Sequence, residues 1–243
     1  MKRNIIPNII YYIFGFKKQT EEFLFCYYLS ILSVKKLNNP DIIYFYYHYE
    51  PYGKWWDKAK LLVTLKKVEI PQYWGTKKIN NYAHSSDKLR MELLYENGGI
   101  YMDIDTISIC SYHKLLNNEC VMGLQEYPVG LCNAIMMCKP KCKFFNLWLE
   151  NYEKHFFSTN PGTVGWDSAS IKLPYNLYLK NKNLVTVLNK EHFFYPNWDK
   201  TELIFEKDYY INENLISLHL WESTSMKYLK QINDFEWFKN NSH

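Results

Sequence analysis

Apolar and polar positions along this chain switch repeatedly between two periods, and the switches divide it into short segments. Asn8 to Phe14 is rich in Ile and Tyr and is closed by Gly15, the composition of a buried strand. Phe23 to Leu37 then predicts a helix, with Thr20 placed to cap it, Glu21 and Glu22 in the first turn and Asn38-Asn39-Pro40 to stop it. Asp41 to Tyr47 predicts a second strand, Pro51-Tyr52-Gly53 a turn, Trp55 to Val63 a short helix, and Leu65 to Ile70 a third strand broken by Pro71. Strand and helix alternate, so the expected fold is α/β, a mostly parallel central sheet flanked by helices.

The sharpest local pattern runs from Ser85 to Asp105. Ser85 or Ser86 is positioned to cap a helix in which Leu89, Leu93 and Leu94 recur at helical spacing, and Asn97-Gly98-Gly99 supplies its stop. A strand from Gly99 to Ile107 should follow, and on a strand the side chains at i and i+2 share a side, so Asp103 and Asp105 are expected to face one space. Beyond Ile109 the pattern loosens from Cys110 to Leu131. Ala134 to Cys138 predicts a strand, Phe144 to Phe157 a helix, Asn160 to Gly165 a loop that delivers Trp166 and Asp167, and Leu215 to Leu220 a short buried strand. No repeat or linker interrupts this order, so residues 1–243 are expected to form one domain.

Composition narrows the partners. The chain has 243 residues and 47% hydrophobic content, enough for one sizeable core. Lys and Arg outnumber Asp and Glu by 29 to 25, a mild excess that suits a phosphorylated small ligand and does not argue for nucleic acid. The pairs Lys35-Lys36, Lys66-Lys67 and Lys77-Lys78 read as solvated element ends. The apolar stretch from Ile5 to Phe14 is interrupted by Pro7 and Asn8, so no transmembrane segment is expected. Neither a signal-peptide pattern nor paired C-x-x-C spacing is present, so the six cysteines are expected to be reduced thiols of a cytoplasmic protein. Cys138 and Cys142 alone make only half a zinc site.

Two carboxylates are what Mn²⁺ or Mg²⁺ needs from a protein when phosphate oxygens complete the shell, and Asp103 and Asp105 lie toward the end of a strand, where ligands of open α/β sheets bind. An Asp-x-Asp alone is equally a solvated strand end. Its neighbours make the difference: Ser86-Asp87-x-x-Arg90 precedes it on the helix, and Gly98-Gly99-Ile100-Tyr101 leads into it. This 20-residue block resembles the sugar-binding region of glycosyltransferases containing the DXD motif, which include yeast initiating mannosyltransferases and, more distantly, the glucosylating clostridial toxins. The opening Ile6-Pro7-Asn8-Ile9-Ile10-Tyr11 is similar to that family's first strand, with Tyr11 where the family usually has His.

The resemblance implies a GT-A-type nucleotide-sugar-binding fold and a retaining, metal-dependent transfer of sugar from a nucleotide-sugar donor, a UDP-sugar by family expectation, to a glycan or other hydroxyl acceptor. It implies that Asp105 coordinates the metal, that Asp103 binds the metal or ribose hydroxyls, and that Asp87 and Arg90 contact hydroxyls of the transferred sugar. Their i, i+3 spacing places both on one helix face; alone, the pair reads as an intrahelical ion pair. Ile13, Phe14 and Gly99 are implied donor contacts. His219 is expected as a third metal ligand or as a core histidine, and Trp221 to donate its indole N–H to the diphosphate or to pack. Asn133 touches donor or acceptor or makes a turn, and Asp167 orients the acceptor or caps the next helix. Two other readings stay open. Asp103-Ile104-Asp105 also resembles phosphatases that form an aspartyl-phosphate, although Ile107 stands where they have Thr or Val; alternatively, the chain is a non-catalytic sugar- or nucleotide-binding module.

Overall fold

The alternating pattern does produce an α/β architecture. The computed structural model describes residues 5–126, 129–206 and 213–236. Its elements in chain order are β1 (Ile9–Phe14), α1 (Phe25–Asn38), β2 (Ile42–Tyr47), α2 (Lys54–Ala59), β3 (Thr64–Lys67), the hairpin β4 (Tyr73–Trp74) and β5 (Lys77–Lys78), α3 (Tyr82–Asn97), β6 (Gly99–Met102), β7 (Thr106–Ser108), β8 (Cys120–Gln125), β9 (Gly130–Cys138), α4 (Lys143–His155), α5 (Leu173–Lys180), β10 (Thr186–Leu188), α6 (Lys190–Phe193), α7 (Glu202–Phe205), β11 (Ser217–His219) and α8 (Glu222–Leu229).

Seven strands form the central sheet in the order β10-β8-β9-β6-β1-β2-β3. Four of its six pairings are parallel; the two made by β9 are antiparallel. Period-two alternation sends Ile10 and Tyr12 of β1 into the core shared with α1 and α2, and Tyr11 and Ile13 into the core shared with α3 and α4. Tyr11 is 2% exposed and stacks on Tyr44, so it lies within the core. Among the described residues, no helix is long and apolar enough to cross a membrane.

Several boundaries move. α1 starts at Phe25 with Leu24 as its first flanking residue, so Thr20 is not its cap. α3 starts a full turn before Ser85: Asn81 caps it by accepting the Ala83 N–H at 2.9 Å, while Ser85 donates to the Pro71 carbonyl. The early start has a consequence, because it puts His84, Ser85, Asp87, Arg90, Met91 and Leu94 on the buried face of one helix. The larger correction concerns the strand expected from Gly99 to Ile107. β6 ends at Met102, residues 103–105 turn, and β7 leaves the large sheet to pair antiparallel with β11. The Thr106 N–H and hydroxyl both donate to the Asp103 carbonyl and close this turn. Within the loosely patterned 110–131 stretch, β8 was not anticipated; Gly123 interrupts its apolar run because the Phe193 and Phe194 rings pack against that backbone.

Candidate active site

The turn after β6 sits where three elements converge. Gly99 has φ of +114°, and a side chain there would strike the Ile9 carbonyl and the Tyr11 ring, so β6 lies against β1 only because this position is glycine. On its other side, β9 carries a bulge: Met122 pairs with Met136 but Gly123 pairs with Cys132, leaving residues 133–135 without partners on β8. Ala134 still accepts the Asp103 N–H at 2.8 Å. Asn133 is thereby free to face α3.

Asn133 and α3 meet in a charged network. The Asn133 amide donates to Asp87 Oδ1 at 2.8 Å, and its carbonyl accepts from Arg90 at 3.0 Å. Arg90 also reaches Asp103 Oδ1 at 3.1 Å and Asp87 at 3.6 Å, and lies 4.3 Å from the Tyr101 ring centroid. The Tyr101 hydroxyl donates to the same Asp103 oxygen at 2.6 Å, and the Tyr152 hydroxyl donates to Asp87 Oδ2 at 3.3 Å. Asp87 and Arg90 are 7% and 6% exposed, so these are desolvated charges held by several partners rather than a surface ion pair. Burial opposes the Arg90 charge, but Asp103, Tyr101 and Asp87 outweigh it and push the guanidinium up.

Across the turn, antiparallel register places His219 of β11 opposite Thr106, beside Asp105. His219 Nε2 lies 3.3 Å from Asp105 Oδ1, the first N–H of α8, from Glu222, donates to Asp105 Oδ2 at 2.7 Å, and the Leu220 N–H donates to the Asp105 carbonyl. An anion at a helix N-terminus with a direct amide donor is well stabilised. Burial would raise the Asp105 carboxyl, yet His219 and the amide prevail and hold it below the usual range. For Asp103, burial prevails over Arg90, and the charge of Asp105 adds to the upward shift. His219 is disfavoured as a cation by burial but raised overall by Asp105. Burial, followed by the charge of Asp105, raises the carboxyl of a third acid, Glu222, to about 7.

Asp103, Asp105 and His219 each offer a ligand atom, and these atoms lie within 4.8 Å of one another. The donor set fits a divalent cation: two carboxylates and an imidazole, with both partners of Asp103 gathered on Oδ1 among the described residues and a buried His219 Nδ1 that has no partner. Cys138 and Cys142 join no such cluster among the described residues.

Residues 10–122 match the family described as the glycosyltransferase sugar-binding region containing a DXD motif. Over 95% of its length the chain is 30% identical to glucan organizing enzyme 1 of Cryptococcus neoformans var. grubii serotype A. This segment is a DXD-type glycosyltransferase sugar-binding region. The chain spans 66% of that fungal relative, slightly under two thirds. Among solved structures it resembles mouse xyloside xylosyltransferase 1 in its apo form, with a TM-score of 0.53 at 9% identity over 88% of this chain and 98% of that one. Another is the PaToxG glycosyltransferase, with a TM-score of 0.48 at 19% identity, covering 73% of this chain and 70% of the other. The mouse structure shares the fold, and the architecture of this chain is of the GT-A type.

The DXD pair, Asp87, Arg90, Asn133 and His219 thus come together, though Asp103 and Asp105 converge through a turn and a second sheet rather than along one strand. Ile13 is 6% exposed and Phe14 packs against Phe23 and Tyr27, so both lie at the carboxyl end of β1 with their side chains committed to the cores. The Trp221 indole N–H donates to the Pro196 carbonyl at 2.8 Å, and the ring packs on His219. Asp167 makes no capping hydrogen bond with its side chain and instead pairs with Lys172 at 2.9 Å. Sequence reasoning gave no role to Tyr101, Tyr152, His84 or Glu222. Tyr101 stands inside the block that leads into the DXD pair, but nothing in the chain's periodicity announces Tyr152, which arrives from α4.

Proposed function

We propose that residues 1–243 act as one domain that transfers a hexose from a nucleotide sugar, a UDP-sugar in the first instance, to a hydroxyl of a glycan or similar acceptor, with retention of anomeric configuration. The observation that carries this reading is the convergence of three ligand atoms on one point directly beside the Asp87–Arg90–Asn133 network. Asp103, Asp105 and His219 would hold Mn²⁺ or Mg²⁺. When bound, the cation supplies Lewis-acid stabilisation of the departing diphosphate.

Asp87 keeps acceptor capacity beyond its bonds to Asn133 and Tyr152, and an ionised carboxylate takes hydroxyl donors well, so it orients the sugar. Arg90 fixes Asp87 and Asp103 relative to each other through one planar fork, so sugar and diphosphate are aligned together. The acceptor hydroxyl attacks the anomeric carbon from the face the diphosphate leaves, and its proton passes to a leaving-group oxygen. This needs no strong protein base.

The test is release of nucleoside diphosphate from a panel of UDP- and GDP-hexoses with Mn²⁺ or Mg²⁺, with and without glycan acceptors. Wild-type protein should turn over at least one donor, EDTA should abolish turnover and added Mn²⁺ restore it, and Asp105→Asn should lower kcat/KM by roughly 100-fold or more. An Asp105→Asn enzyme that matches wild type would remove the metal role, and tight donor binding without diphosphate release would make the chain a binding module.

A further inference from the structure

His84 is 2% exposed, and neither ring nitrogen has a hydrogen-bond partner among the described residues. A buried polar atom left unpaired costs about 1–3 kcal/mol, so two on one ring mark a place where a partner belongs. The surroundings say what kind. One helical turn before Asp87, the ring brings Nδ1 to 3.5 Å from Asp87 Oδ2 without hydrogen-bonding it. Oδ1 of that carboxylate is filled by Asn133, whereas among the described residues Oδ2 receives only the longer bond from Tyr152. An imidazole that both donates and accepts therefore lies next to a carboxylate oxygen with spare capacity, a pairing suited to two adjacent hydroxyls.

The remaining walls are aromatic. Phe156 meets the His84 ring edge-on at 5.0 Å, and Trp166 covers it at 4.3 Å. Aromatic faces suit the C–H surface of a pyranose. Trp166 is carried at the end of a turn that includes Gly162 and Gly165, both at positive φ, and Val164, which is 97% exposed. The segment is tied to the start of α3 by the Asn80 N–H, which donates to the Ser158 hydroxyl at 2.8 Å. Of the two rings on His84, Phe156 is 1% exposed, whereas Trp166 is only partly buried and sits on the glycine-containing turn.

We propose that His84 is a specificity-determining contact for the transferred sugar: with Asp87 it binds neighbouring hydroxyls, and Trp166 is displaced from the imidazole as the sugar enters. This rests on the sugar-transfer reading above. The experiment compares the full chain with His84→Phe and His84→Asn by titration calorimetry in Mn²⁺, using UDP-glucose, UDP-galactose and GDP-mannose beside UDP and GDP alone. His84→Phe should weaken the preferred sugar nucleotide by at least about 10-fold while the bare diphosphate stays within about twofold, and His84→Asn should recover most of the loss. Equal weakening of both ligands, no weakening of either, or His84→Asn no better than His84→Phe would overturn the inference while leaving transferase function intact. Should His84→Phe not fold, His84→Gln with the same ligands decides: a loss confined to the sugar nucleotide supports the assignment, and any other pattern overturns it. A wild-type protein that binds none of the three sugar nucleotides in Mn²⁺ would instead overturn the sugar-transfer reading itself.

Discussion

Around the Arg90 guanidinium stand the carbonyl of Asn133, the carboxylates of Asp87 and Asp103, and the ring of Tyr101. A lysine at this position keeps the charge but loses the fork, so Arg90→Lys is expected to lower stability by about 1–3 kcal/mol and kcat/KM by at least ~10-fold, read by chemical denaturation and diphosphate release. Tyr101→Phe removes one donor from Asp103. Its expected stability cost is about 1.5 kcal/mol, at the low end for a charge-assisted bond because the Asp103 side chain is 28% exposed and water can substitute. Asp87, Arg90, Asp103 and Asp105 were legible in the sequence because their spacing forms a recognisable block. The contacts that orient them were not, although Asn133 itself was a candidate. Asn133 acts because a bulge lifts it from the ladder, and Tyr152 because α4 happens to pack on α3, and neither relation leaves a mark in local periodicity.

At the scale of elements, most of the first half was readable, since β1, α1, β2 and α2 alternate between clear apolar periods. Reading failed where tertiary pairing overrides local pattern. The run from Gly99 to Ile107 looks like one strand, yet the Thr106 turn splits it between two sheets, and the apolar positions on either side of the break are simply buried in different places. The true start of α3 is masked because Ser85 and Ser86 are good caps in isolation, as is Asn81, and only the last has its backbone in the extended conformation a cap requires. Asn81→Ala should therefore lower stability by ~1 kcal/mol, as followed by thermal melting. Gly99→Ala faces both the positive φ and the Ile9 carbonyl, and a loss of about 2–4 kcal/mol is expected in the same assay.

For the molecule as a whole, the distribution of cysteines gives a compact check on the packing of both cores. Cys26, Cys120, Cys132, Cys138 and Cys142 are buried, and Cys110 is exposed. Burial pushes the thiols of Cys26 and Cys132 well up, which disfavours the reactive thiolate in addition to blocking access. An aromatic disulfide reagent should accordingly titrate one thiol in the native protein and all six after denaturation; rapid native reaction of several would contradict the packing.

The long reach between Asp105 and α8, 117 residues along the chain, also sets an order of events during synthesis. On the ribosome the two neighbouring aspartates emerge far ahead of the imidazole and amide that gather around them, so the nascent polypeptide carries mutually repelling acids with no roof. The surroundings of Asp105 are consequently among the last parts to be assembled, and an unfinished chain lacks the imidazole and the amide that complete them.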